Sequence, residues 1–131
     1  MQGSESNKKK IVLLDDDKFI LDMYALKFTK AGYGVKAFDN VELCLKALRE
    51  GYIPNAILAD VVMPGMTGLE FVSKVREEKL APGAMLIMLT NQGSSEDIAK
   101  ASEAKVDNYI VKATTIPSDV LAQVEKMLSN K

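Results

Sequence analysis

Five short, mostly apolar runs punctuate the chain: Ile11–Leu14, Val35–Phe38, Ala56–Ala59, Met85–Leu89 and Tyr109–Val111. Each has the length and character of a buried strand. Between them apolar residues recur with a helical period. Ile20, Met23, Tyr24, Phe28 and Ala31 form one such series, which stops at Gly32, a glycine placed as a helix C-terminal signal. Val41, Cys44, Leu45 and Leu48 repeat the pattern before Gly51, and Leu69, Val72, Val75 and Arg76 follow Gly68. Ile98, Ala99, Ala101 and Ala104 follow the cap-like Ser94-Ser95-Glu96-Asp97, and Val120, Leu121, Val124 and Leu128 come after Pro117-Ser118.

Five helices thus interleave with five strands. Strict alternation implies an open, doubly wound α/β domain, because parallel neighbours need crossover connections and these put helices on both faces of the sheet. Ligands of such sheets bind beyond the carboxyl ends of the strands. The chain of 131 residues fits one domain, and 47% apolar with 27% charged residues is ordinary globular composition. Residues 1–8 read as a disordered N-terminal segment or an expression remnant ending in lysines, with the domain over 9–131. No apolar run approaches the roughly 20 residues of a membrane helix, so no membrane partner is expected.

Charge and missing residue types narrow the chemistry. Seventeen Lys+Arg against 18 Asp+Glu leave a net charge of −1, so no global field favours nucleic acid, and no direct nucleic-acid contact is expected. A single cysteine, Cys44, and no secretory signal suit the cytoplasm. There is no histidine, which removes His-based nucleophile systems and His-ligated metals.

The polar residues at the strand ends stand out against this background. Strand one runs into Asp15-Asp16-Asp17, strand three into Asp60, strand four into Thr90 and strand five into Lys112. Asp17 suits an N-cap for the helix beginning near Lys18. Acids on neighbouring strand ends repel each other unless a cation intervenes. With oxygen ligands alone, the expected ion is Mg²⁺, or Mn²⁺, in an octahedral site that retains waters. An ammonium and a hydroxyl facing such a centre suit the oxygens of a transferred phosphoryl group. Neither Gly-x-x-x-x-Gly-Lys-[Ser/Thr] nor Gly-x-Gly-x-x-Gly occurs, so ATP is not the expected direct donor.

The ordered set comprises an acidic pair after strand one, Asp60-Val-Val-Met-Pro-Gly-Met-Thr-Gly after strand three, Thr90 and Lys112. It resembles the receiver domain of two-component response regulators, from about Lys9 to Ser129. The resemblance implies a flavodoxin-like sheet in the order 2-1-3-4-5. It also implies a domain that catalyses its own phosphorylation and slow dephosphorylation rather than a turnover enzyme. By it, Asp60 accepts a phosphoryl group from a histidine kinase or phosphotransfer protein. Asp15 and Asp16 are the acidic pair, with Asp16 a direct Mg²⁺ ligand, Asp60 another and the Val62 carbonyl a third. Lys112 pairs with the phosphoryl oxygens, Thr90 is the hydroxyl drawn toward them, and Tyr109 is the switch aromatic. The readout to an unknown downstream protein would use the fourth helix, fifth strand and fifth helix.

Three positions depart from that pattern: Asn91 where a small residue is usual, Ala113 in place of proline after Lys112, and Lys105 in place of a helix-ending glycine. A cis bond before a non-proline residue costs about 3–4 kcal/mol, so a trans Lys112-Ala113 peptide is expected. Two rivals remain. A haloacid-dehalogenase-type Mg²⁺-dependent phosphatase would use Asp15 as nucleophile in an Asp15-x-Asp17 motif, leaving Asp60 without a task. A pseudo-receiver would act as an unphosphorylated interaction module.

Overall fold

The computed structural model describes residues 9–61, 66–90, 106–111 and 116–129. Their elements run β1 (Lys10–Leu14), α1 (Lys18–Lys30), β2 (Gly34–Phe38), α2 (Val41–Arg49), β3 (Ala56–Asp60), α3 (Gly68–Glu77), β4 (Met85–Thr90), β5 (Asn108–Val111) and α4 (Pro117–Ser129). All strand pairs are parallel, in the order β2-β1-β3-β4-β5. This is the flavodoxin-like sheet expected above. The helix expected around Ile98–Ala104 lies outside the described residues, as do residues 1–8, Asn91 and Lys105.

The sheet separates two apolar layers. On one face Val12, Leu14, Ile57, Ala59, Leu86 and Met88 meet α2 and α3 through Cys44, Leu45, Leu48, Phe71, Val72 and Val75. On the other, Ile11, Leu13, Leu58, Ile87, Leu89 and Ile110 meet α1 and α4 through Tyr24, Phe28, Val120 and Val124. Alternate side chains of one strand feed opposite layers, so the central strands must be apolar throughout. Complete burial of each large aliphatic or aromatic side chain contributes about 1.5–3 kcal/mol. β2, an edge strand, is only half-buried, and its Lys36 and Ala37 are exposed.

Local chemistry sets the helix ends. The Asp17 side chain accepts from the Phe19 and Ile20 N–H groups at the start of α1, and Asn40 accepts from Leu43 N–H at the start of α2. Thr67 and Glu70 form a reciprocal capping box on α3. Helices α1, α2 and α3 all close with paired turns, in which Tyr33, Tyr52 and Leu80 N–H donate back to Phe28, Ala47 and Val75 carbonyls. The left-handed residue in these turns is Gly32 (φ 99°), Gly51 (φ 107°) and, in α3, Lys79 (φ 57°).

Of the series read from sequence for α1, Tyr24 and Phe28 are buried and Ile20 packs partly buried against the core, while Leu21, outside that series, completes the buried stripe and Ala31 is exposed. Met23, Phe19 and Leu26 are exposed. Apolar residues occupy more than one side of this helix, so periodicity alone admits two faces and the sheet decides between them. In α3 Phe71 is fully buried, whereas Arg76 reaches outward to Asp107 at 3.3 Å.

Candidate functional site

Parallel strands deliver their carboxyl ends to one edge of the sheet. β1 leads directly into Asp15, β3 ends in Asp60 and β4 ends in Thr90. Because β3 lies between β1 and β4, these groups sit on three adjacent strands with a lateral spacing of about 4.8 Å. Register fixes them further. Leu14 pairs with Ala59, Asp60 with Leu89 and Thr90 with Val111. Beyond the strands, Asp15 N–H donates to the Phe38 carbonyl at 3.1 Å and Val61 N–H to the Leu89 carbonyl at 3.0 Å.

Carboxylate oxygens of Asp15, Asp16 and Asp60 all lie within 4.8 Å of one another. Asp15 and Asp60 are buried, while Asp16 is exposed. Like charges this close, two of them buried, repel one another. An oxygen-only donor set of this geometry fits a hard divalent cation such as Mg²⁺. One Asp15 oxygen also accepts from Asp17 N–H at 2.9 Å, which orients the carboxylate. Asp17 itself turns away to cap α1 and is not in the cluster.

Thr90 is 4% exposed, and its hydroxyl oxygen finds no hydrogen-bond partner among the described residues. A buried hydroxyl in that condition costs about 1–3 kcal/mol. Its place at the end of β4, next to the strand carrying Asp60, suits an arriving acceptor oxygen. Tyr109 on β5 pairs with Met88 in register and is 37% exposed, a position open to solvent on its outer side. Lys112, the Val62 carbonyl and the Lys112-Ala113 peptide lie outside the described residues. Of the residues expected from sequence, the structure therefore brings together Asp15, Asp16 and Asp60 and ends the adjoining strand at Thr90 on the same sheet edge.

Gly68 has a part that its place ahead of the Leu69–Arg76 series did not reveal. It is the buried first residue of α3, and a Cβ there would overlap the main-chain carbonyl oxygen of Asp60. The Thr67–Glu70 capping box fixes this helix start, but nothing in the local sequence shows how closely it approaches β3.

Comparison with known proteins agrees with this architecture. The response regulator receiver domain family matches residues 11–125, and the chain belongs to it. The transcriptional regulatory protein ResD of Bacillus subtilis is 32% identical over 125 residues, which span 95% of this chain and 50% of ResD. The chain spans about half the length of the curated relatives it matches. Among solved structures, a CheY-like receiver domain protein from Methanospirillum hungatei superposes with a TM-score of 0.83 at 30% identity, covering 95% of this chain and 96% of that one. DrrB of Thermotoga maritima, an OmpR/PhoB homologue, gives 0.81 at 30% identity over 94% of this chain and 54% of its own.

Receiver domains are phosphorylation-activated switches of two-component signalling, and this is the class of function to which the chain belongs. The phosphatase alternative is not favoured: the family match names a different class, and Asp17, its required second acid, is occupied as a helix cap. Receiver domains as a class bind Mg²⁺ at an acidic pocket and engage histidine kinases or phosphotransfer proteins. Among the described residues no helix is long and apolar enough to cross a membrane.

Proposed function

We propose that Asp60 is the phosphoacceptor of this chain and that a histidine kinase or phosphotransfer protein is its donor. The observation that carries this reading is the convergence of the Asp15, Asp16 and Asp60 carboxylates within 4.8 Å at one sheet edge. An Asp60 carboxylate oxygen attacks phosphorus as the P–N bond to the donor imidazole breaks, and the electron pair leaves with the imidazole. Asp15, Asp16, Asp60 and the Val62 carbonyl are the ligands assigned to Mg²⁺, or Mn²⁺. Bound there, the cation supplies positive charge that offsets the phosphoryl oxygens. Asp15, oriented by Asp17 N–H, holds its side of the cluster in place. The Lys112 ammonium pairs with a phosphoryl oxygen.

The Thr90 hydroxyl donates to another, gaining the partner it lacks among the described residues. That contact exists in the phosphorylated state alone, so it biases the domain toward a second packing in which Tyr109 turns inward. The face formed by the fourth helix expected from sequence, β5 and α4 then presents the changed surface to a downstream protein. A reducing cytoplasm suits the buried free thiol of Cys44.

The test is incubation with Mg²⁺ and acetyl phosphate followed by intact mass and peptide mapping. One labile phosphoryl adduct on Asp60, absent from Asp60→Ala and abolished by chelation, is the expected result. An adduct on Asp15 would return the reading to the phosphatase mechanism. No adduct, and no Mg²⁺-dependent response to beryllofluoride, would make the chain a pseudo-receiver.

A further inference from the structure

The strand end that carries Asp60 meets α3 with unusually little room. Gly68 N–H donates to the Val61 carbonyl at 2.8 Å, so the first residue of α3 is tied to the residue following Asp60. A methyl group at Gly68 would overlap the Asp60 carbonyl oxygen, lie 2.9 Å from the Asp60 carbonyl carbon and 2.6 Å from the terminal methyl of Met88. The Met88 end is flexible and can swing aside. The Asp60 main chain is held more firmly, because Asp60 pairs with Leu89 of β4, Val61 N–H donates to the Leu89 carbonyl, and the preceding residue Ala59 pairs with both β1 and β4. Nor is α3 free to retreat, its inner face being packed into the core through buried Phe71, Val72 and Val75. Gly68 does not have a positive φ, so the need for glycine here is steric and not conformational.

We propose that Gly68 is the positioning residue for Asp60: the missing side chain lets α3 seat against the strand end, and this sets how far the Asp60 carboxylate reaches toward Asp15 and Asp16. The inference rests on Asp60 being the acceptor. Cation sites and in-line transfer both depend on ångström-scale placement, and a displacement of about 1 Å is enough to lose about a hundredfold in rate.

The test compares wild type, Gly68→Ala, Met88→Leu and Gly68→Ala/Met88→Leu, all in a Lys79→Gly background that relieves the left-handed lysine. Folding is followed by circular dichroism, Mg²⁺ affinity by calorimetry, and acetyl phosphate labelling at saturating Mg²⁺ by intact mass. Alanine is a better helix former than glycine, so without the Asp60 contact Gly68→Ala would be neutral or stabilising. The expected result is a folded Gly68→Ala variant with labelling slowed about tenfold or more and weaker Mg²⁺ binding. Met88→Leu should not restore either, because the obstacle is the Asp60 carbonyl. Glu70→Ala, which uncaps α3 without adding atoms beside Asp60, should label at the wild-type rate.

Wild-type labelling and Mg²⁺ affinity in Gly68→Ala would overturn the proposal, and so would recovery in the double variant, which would reveal simple crowding of the core. Failure of Gly68→Ala to fold in the stabilised background would overturn it as well, leaving a structural role only. If the wild type is not labelled at Asp60, the acceptor assignment itself fails, which a normal wild type beside an unaffected Gly68→Ala does not imply.

Discussion

Replacing Thr90 by valine separates the cost of the resting state from the benefit of the switched one. The Thr90 hydroxyl is buried at 4% exposure without a partner among the described residues, a condition that costs about 1–3 kcal/mol. Valine keeps the branched shape and the strand preference and removes the polar atom. The unphosphorylated protein should therefore gain about 1–2 kcal/mol. Unfolding entropies near 2.1 cal/mol/K per residue put a 131-residue chain at about 0.28 kcal/mol/K, so the gain corresponds to a rise in Tm of about 4–7 °C.

In Mg²⁺ and beryllofluoride, a phosphoryl mimic, the wild-type hydroxyl acquires an acceptor worth about 1.5–3 kcal/mol, as bonds to charged groups are. The Tm increment on adding the mimic should then be smaller in Thr90→Val by a comparable amount, and the two proteins should converge. Differential scanning calorimetry with and without the mimic reads both numbers. A lower Tm for Thr90→Val in the resting state, or an equal increment in both proteins, would refute the reasoning.

Other outcomes test separate parts of the structure. Asp16→Asn should raise the Tm in metal-free buffer by relieving repulsion within the acid cluster, yet gain less than wild type when Mg²⁺ is added. Equal gains would remove Asp16 from the cation site. Burial pushes the Cys44 thiol up to about 12, whereas an unfolded chain ionises near 8.5. Above that lower value the folded state holds the extra proton, so stability is complete below it and falls by roughly 1.4 kcal/mol per pH unit until about 12. Urea midpoints at pH 8 and 10 should differ more in wild type than in Cys44→Ala, and parallel shifts would contradict the assignment. Lys79→Gly should add about 0.5–1 kcal/mol by relieving the left-handed lysine that closes α3. A loss of stability in urea would show that the lysine side chain matters more than its backbone.

Strand count and the polar groups at the strand ends were legible because a buried parallel strand is an unbroken apolar run and its next residue is where a polar group appears, whereas the strand order came from the resemblance to receiver domains. Leu14-Asp15, Ala59-Asp60 and Leu89-Thr90 all read this way. The inward face of α1 was legible only in part: Tyr24 and Phe28 were read from the sequence, but Met23 is as apolar as Leu21 and only the sheet distinguishes them. The role of Gly68 was hidden for a related reason. Its neighbour Asp60 lies eight positions earlier in the chain, and a close approach between a helix start and a strand end leaves no mark on local periodicity. The Thr90 hydroxyl, without a partner among the described residues, depends equally on what surrounds it in three dimensions.

The partition of the interior by a hydrogen-bonded sheet has a consequence for how such a domain diversifies. Side chains on opposite sides of β1, β3 and β4 are separated by main chain and do not touch, so substitutions in the two compartments should contribute independently to stability. One compartment can accumulate volume changes, and so alter the helices it supports, while the other keeps its packing intact. A scaffold arranged this way can remodel one flank to suit a new partner without disturbing the opposite flank.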